Sequence, residues 1–407
     1  MKVLVGGRSA LFGRAAALGL LMACAVPTSH AAITITEVYQ AEPEFVGSAL
    51  LDLSQRWFDP AVAQGNQLYS ALSLGEALGM AALTARGRTQ DAFAQLLYNE
   101  PRWARGREID DLMYPTSPLP PGLKTAYAFI VAEDLKVRTD IETALKTVFG
   151  AEVMRLDFAS PKALQTVNTW FSKETAGHMP DMLSALPQQG RFILANALHF
   201  KAAWATPFQA GQTADAPFKT GQGNTLSVAM MRQTLQAPLQ EVEGWRAISL
   251  AFEGDRFDLL VALPPEGQTL AEAAFKAPVA QWVPSSTQAS KPRWVDLQLP
   301  RFRLTQGGSV RQRTLDLGLA PAYEACADFS NLSDENLHLG DIVHRVMLSV
   351  DEHGAEAAAA TAVTGSPSTA PSKEAAIPFV VDRPFMVWLI HRPTGIPVMT
   401  GAINTLK

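Results

Sequence analysis

Along the first half of the chain apolar residues recur mainly at helical spacing; along the second half they alternate or run on, as in strands. Phe45–Phe58 carries apolar side chains three and four positions apart and predicts an amphipathic helix. Leu72–Thr84, rich in Ala, Leu and Met, predicts a second helix buried on most sides, and Gly87-Arg88-Thr89 opens a third with Thr89 as its cap. Asp140–Phe149 and Leu164–Thr175 predict two more, the latter with Val167, Trp170 and Phe171 on one side. Pro115–Pro121 holds four prolines and predicts a loop, and Thr125–Ala132 reads as a strand. Arg191–Phe200 is apolar on both faces, as a central strand should be. Trp245–Leu263 predicts two strands joined at Glu253-Gly254-Asp255, and Val295–Leu299 and Phe302–Leu304 are strands flanking a proline. Val343–Val350, Phe379–Ile390 and Ile396–Ile403 complete the set. Helices first and strands last predict an α+β fold with large antiparallel sheets, not a doubly wound one.

One stretch belongs to neither pattern. Asp351–Pro378 (DEHGAEAAAATAVTGSPSTAPSKEAAIP) lies between two strand-like segments. Its alanines read as a helical turn, and its Ser, Thr, Pro and Gly as a flexible linker. A run of such small side chains between strands also suits a segment that becomes a strand inside a sheet. Both readings stand on the residues alone.

Composition narrows the classes. The chain has 407 residues; Met1–Arg14 carries Lys2, Arg8 and Arg14 without an acid, and Ala15–Val26 is apolar. Small residues follow, up to Ala31, so residues 1–31 read as a secretory signal too short to span a membrane, and 32–407 as a single domain. Leu21-Met22-Ala23-Cys24 offers a lipobox as the alternative, with the protein anchored to a membrane through a lipidated Cys24. The expected location is secreted or periplasmic. Loss of the three cations takes the net charge from −5 to −8, which argues against nucleic acid or heparin-like polyanions as partners. Arg102, Arg105 and Arg107 are followed at once by Glu108, Asp110 and Asp111 and read as a solvated face. With Cys24 in the signal, Cys326 has no disulfide partner and reads as buried filler.

No catalytic constellation emerges. The chain lacks a Gly-x-Ser-x-Gly elbow, a His-Glu-x-x-His motif, a phosphate-binding Gly-rich loop and cysteines at metal spacing. His199 and His344 fall in strands, where a satisfied core histidine is the common case, and Glu352 and His353 are neighbours that point to opposite sides of an extended chain. No cofactor or metal is expected.

Several segments, taken in order, share one pattern. Val167-Asn168-Thr169-Trp170 with Thr175-Ala176-Gly177-His178-Met179 resembles the serpin helix ending in a "T-x-G-x-I" turn. Leu194–Trp204 (LANALHFKAAW) resembles the serpin strand "V-N-A-x-Y-F-K-G-x-W". Leu299-Pro300-Arg301-Phe302, Ala327-Asp328-Phe329-Ser330, Arg383-Pro384-Phe385 and Pro393-Thr394-Gly395 continue the match, which spans about residues 44–404. The resemblance implies the serpin fold: helices packed on a large mixed sheet plus two smaller sheets, with an exposed reactive-centre loop at about 352–378. It also implies a monomeric serine protease inhibitor that acts as a suicide substrate, its cleaved loop entering the main sheet as a strand.

The resemblance further implies roles for residues. Glu352, Gly354, Ala355, Ala357, Ala358, Ala359, Ala360 and Thr361 form the hinge; Ala355, Ala357, Ala359 and Thr361 would face the core on insertion, and all are small or β-branched. Glu352 would pair with Arg301, Trp204 would sit where the loop goes in, and Asn196, His344 and Ser73 would line the place where the strands part. Ala71 stands where the family has proline. Counting forward from Gly354 gives Ser368–Thr369 as the reactive bond; counting back from Pro384 gives Lys373–Glu374. The first favours an elastase- or subtilisin-like protease, the second a trypsin-like one. A non-inhibitory binding protein or chaperone of the same fold is the alternative.

Overall fold

The computed structural model describes residues 43–60, 65–98, 122–186, 190–283, 291–355 and 375–406. Its main helices are α1 (Pro43–Trp57), α2 (Ala71–Thr84), α3 (Gly87–Tyr98), α4 (Thr139–Val148) and α5 (Pro161–Glu174). Ser70 caps α2, its hydroxyl accepting from the Ser73 N–H at 3.0 Å. The cap predicted at Thr89 is corrected: α3 already starts at Gly87, and the Thr89 hydroxyl instead accepts from the Asp328 N–H at 2.9 Å.

The strands are β1 (Gln67–Tyr69), β2 (Leu123–Ala132), β3 (Glu152–Leu156), β4 (Phe192–Phe200), β5 (Ala202–Ala203), β6 (Ala214–Lys219), β7 (Thr225–Val242) and β8 (Trp245–Ala251). They continue as β9 (Phe257–Leu263), β10 (Pro292–Pro300), β11 (Phe302–Ser309), β12 (Leu339–Val350), β13 (Gly354–Ala355), β14 (Ile377–Val380), β15 (Phe385–His391) and β16 (Ile396–Ile403). The segment predicted as one strand from Phe379 to Ile390 is two. Asp382-Arg383-Pro384 interrupts it, Pro384 having no N–H to continue a ladder, and β14 pairs with β10 while β15 pairs with β9 and β16.

The main sheet runs β3-β2-β4-β12-β13-β5, with β11 on the free side of β12. It is mixed: β4 runs antiparallel to β2 and parallel to β12. All nine residues of β4 are buried because both of its faces are covered. On one face lies α2, and on the other α5 sets Val167 and Phe171 against Ala195, Ala197 and Met347. That double burial is what the largely apolar run from Phe192 to Phe200, broken only by Asn196 and His199, encodes.

The other strands form a path β1-β16-β15-β9-β8-β7-β10-β14, with β6 on β7. The two smaller sheets share the long strand β7. Up to Pro238 it pairs with β10, and from Leu239 it pairs with β8. Between this pair of sheets and the main sheet lies an apolar core containing Phe200, Phe252, Leu348 and Phe302.

The missing proline leaves α2 intact, since the helix begins at Ala71 under its Ser70 cap. The first helical position needs no N–H, and Ser70 already has the extended backbone (φ −123°, ψ 108°) that proline imposes on its predecessor. Ala71→Pro should therefore raise unfolding stability by about 0.4–1 kcal/mol, read by urea denaturation. A loss of stability would show that the ring does not fit beneath the sheet.

Candidate functional site at the head of the main sheet

The parallel ladder between β4 and β12 closes the sheet only up to Met347 opposite His199. Above that level the strands part, and β13 fills the gap: Ala355 pairs with Val350 on one side and with Ala202 on the other. The backbone bond from Asp351 N–H to Gly354 O (2.9 Å) and that from Trp204 N–H to His353 O (2.8 Å) continue these antiparallel ladders. Gly354 makes this approach possible. At φ +154° its backbone lies so close to β5 that a Cβ would fall 2.0 Å from Ala202 O. Ala355 is fully buried, with its methyl in the core beside Val350.

The base of the loop is held by an ion pair. The Glu352 side chain is only 5% exposed; its Oε1 accepts from the half-exposed Arg301 guanidinium and from Thr213 Oγ1 at 2.6 Å. Burial raises the Glu352 pKa, but the bonds to Arg301 and Thr213, a backbone hydrogen bond and the Arg301 charge together outweigh it and hold the carboxyl below its ordinary range. Phe208 N–H donates to Glu352 O at 2.9 Å, so backbone and side chain are both fixed. Next to it the Trp204 indole stacks on Phe252 (4.4 Å between centroids, 9° between planes) and donates Nε1–H to Asp351 O at 2.8 Å.

Lower on the seam, below β13, sits a buried polar group that ties the two strands to α2. Ser70 N–H donates to His344 Nε2 at 3.1 Å, so that nitrogen is an acceptor and the ring proton of the neutral imidazole is on Nδ1. Nδ1–H is then donated to Asn196 Oδ1, which also accepts from Ser73 Oγ at 2.8 Å. His344 and Asn196 are register partners across the parallel ladder. Asn196 Nδ2 is buried and has no hydrogen-bond partner among the described residues. Burial pushes the His344 imidazole down to about 3.

Each site residue expected within the described part of the chain therefore falls into one of two clusters on the seam. Glu352, Gly354, Ala355, Trp204 and Arg301 meet at its head; Ser73, Asn196 and His344 meet below. Ala357, Ala358, Ala359, Ala360 and Thr361, and both candidate bonds, Ser368–Thr369 and Lys373–Glu374, lie outside the described residues. Sequence reasoning missed Ser70 and Thr213. Ser70 was legible as the helix cap next to Ser73, but Thr213 approaches from across the fold and left no local signal. It also missed the stacking of His178 on His199 (4.5 Å), which joins the turn after α5 to β4. Cys326, expected to be buried, is exposed.

The comparisons agree with this geometry. The family model described as serpin (serine protease inhibitor) matches residues 50–406, and the chain belongs to that family; it is not an enzyme. It is 30% identical over 350 residues to an uncharacterized serpin-like protein of Thermococcus kodakarensis, covering 84% of this chain and 81% of that one. It is 28% identical over 360 residues to the leukocyte elastase inhibitor of Bos taurus, covering 84% and 93%. In structure it resembles human thyroxine-binding globulin complexed with its ligand, with TM-score 0.77, 23% identity and coverage of 90% and 98%. That last likeness shows the fold alone.

The His344 pKa sets a pH dependence. The folded state disfavours the charged imidazole, so on acidification the unfolded chain binds the proton first. Stability is complete above the ordinary imidazole range, about 6.5, and is lost as pH falls toward the folded value of about 3. His391, lowered to about 4 by burial and by Arg256, acts in the same direction. Thermal midpoints should fall from pH 7 to pH 5, and fall less in His344→Gln, which retains an amide donor for Asn196 but does not titrate. Equal falls in the two proteins would remove His344 from the account.

Proposed function

We propose that the protein inhibits serine endopeptidases as a suicide substrate, and the observation that carries this is the register of β13. Two residues of the loop already lie between β12 and β5 as an antiparallel strand. If the loop inserted in this register, Ala357 would come opposite Leu348 and Phe200, and Ala359 opposite Val346 and Leu198. Thr361 would then come opposite His344 and Asn196, the two residues that face each other in the closed ladder. In that register a strand without a bulge would meet both ladders at one level.

The side chains suit the path. Every inward position from Ala355 to Thr361 carries a methyl-sized or β-branched group, so a strand can enter the packed seam without burying a charge. Entry breaks the His344–Asn196 bond, and the Thr361 hydroxyl arrives beside the buried Asn196 Nδ2 that has no partner in the closed sheet. A polar group that loses one bond gains another.

In this reading the protease serine Oγ attacks the carbonyl carbon of the reactive bond. The C–N bond breaks, the new amine leaves with a proton, and an ester links protease to loop. Insertion of the freed strand carries the protease along the sheet before water hydrolyses the ester. Ser368–Thr369 suits a small-residue pocket of elastase or subtilisin type, in keeping with the likeness to the elastase inhibitor; Lys373–Glu374 suits a trypsin-like pocket. The action takes place outside the cytoplasm, after removal of residues 1–31 or lipidation of Cys24.

Incubation with elastase, subtilisin and trypsin, followed by denaturing electrophoresis, should give a denaturant-stable complex with at least one of them. Ala357→Arg, which puts a charge on the inward face, should convert that inhibitor into a substrate. Cleavage by every protease with no stable complex would sink the reading. The mass of the released C-terminal peptide, beginning at Thr369 or Glu374, identifies the bond.

A further inference from the structure

The turn after α5 meets the main sheet through two histidines. His178 stacks on His199 with 4.5 Å between ring centroids and 18° between planes. His199 is only 3% exposed and lies on β4 opposite Met347, at the last rung of the closed β4–β12 ladder. The stack therefore sits on the α5 face of the seam, just below the level at which β13 holds the strands apart. We propose that it is an acid-released latch. The neutral rings pin the turn to the closing rung, and protonation of both drives them apart and frees the turn from the sheet. The latch itself involves no protease; only its consequence, an α5 face loosened where a strand would enter, rests on the inhibitor reading.

The turn is built to need a tertiary hold. Ala176 and Gly177 both take left-handed backbone, at φ +52° and +83°, and alanine is strained there. Local bonds close the turn: Gly177 N–H donates to Ser172 O at 2.7 Å, His178 N–H to Thr175 O at 3.0 Å, and Met179 N–H to Thr175 Oγ1 at 3.2 Å. Met179 is fully buried in the core that α5 makes with the sheet. His178 is half-buried, with its ring on His199. Two uncharged rings in this arrangement gain contact, whereas two charged ones at the same separation repel.

The charges around the pair do not offset a second proton. His199 is opposite Lys124 on β2 and Met347 on β12, so all three share the α5 face. Arg345 lies on that face two residues before Met347, and Lys201 two residues after His199. Arg303 reaches the same place from β11, its guanidinium donating to the Met347 sulfur at 3.4 Å. None of these four cations forms an ion pair among the described residues, and Arg345 Nε is buried without a hydrogen-bond partner there. On the α5 side Lys173, Glu174 and Asp181 are all exposed, so the two acids act through screening water. Imidazole is the side chain that ordinarily changes charge between about pH 5 and 8. Across that range the latch passes from two neutral rings among cations to two charged rings among cations.

The test is amide hydrogen exchange on the full chain at pH 7 and pH 5, each rate referred to the intrinsic rate at that pH, for the unaltered protein, His178→Phe and His199→Phe. The amides of Gly177, His178 and Met179 report the turn, and those of β8 report global opening. In the unaltered chain, protection of the turn should fall about ten-fold between pH 7 and pH 5, beyond any change in β8. A phenylalanine variant keeps two rings in the stack, and a charged imidazole is attracted to the phenyl face instead of repelled. Its turn should therefore stay within about two-fold over the same range. The unaltered chain decides alone if a variant does not fold: a turn as protected at pH 5 as at pH 7, relative to β8, would overturn the latch. So would a phenylalanine variant whose turn loosens as much as the unaltered one. Exchange is read without a protease, so a chain that traps none would end the inhibitor reading and leave the latch to be judged by its own data.

Discussion

The architecture depends on a seam between two parallel strands that is closed along most of its length and open at its head. From Leu194 opposite Ile342 to His199 opposite Met347, β4 and β12 bond directly, and below the opening the His344–Asn196 contact adds a buried polar tie to α2. At the top, β13 keeps the strands apart by one strand's width. A parallel pair joined in this way is a weaker arrangement than the antiparallel sheet that a strand between them would make. The helices on both faces are shaped around this seam. Beneath it α2 supplies Ser70 and Ser73, and above it α5 packs on both strands of the seam.

The polar groups along the seam divide the labour. Glu352 and Arg301 fix where the loop leaves the sheet, with the carboxyl kept ionised by its two partners despite burial. Trp204 fills the wedge beside them and binds the backbone at Asp351 and His353, so the first loop residues have one register and no slack. Deeper in, the neutral His344 ties the strands together through its bond to Asn196, a bond that, under the proposed mechanism, a hydroxyl on the entering strand would replace. Breaking a buried contact of this kind is costly when its groups are left alone and cheap when a substitute arrives with the strand.

Much of this was legible beforehand, and for identifiable reasons. The burial of β4 on both faces is encoded in nine consecutive, mostly apolar residues, and the small side chains from Ala355 to Thr361 restrict what the loop can become. Motif order carried the fold, since Leu194–Trp204, Leu299–Phe302 and Arg383–Phe385 fall in the same sequence as in the family. Contacts between distant segments were less legible. Thr213 reaching Glu352 and His178 on His199 depend on tertiary approach, and no local pattern announces them. The break at Asp382-Arg383-Pro384 was missed because the apolar residues on either side mask a change of sheet, although Pro384 marked it.

The central claim is that β13 is the first step of a longer strand in a fixed register. The most direct measurement is the crystal structure of the chain after a single cut between Ser368 and Glu374. The account predicts a full strand between β4 and β12, with Thr361 level with Asn196 and His344 and those two residues no longer in contact. A cut chain in which β4 and β12 still pair directly, with His344 bonded to Asn196, would contradict it.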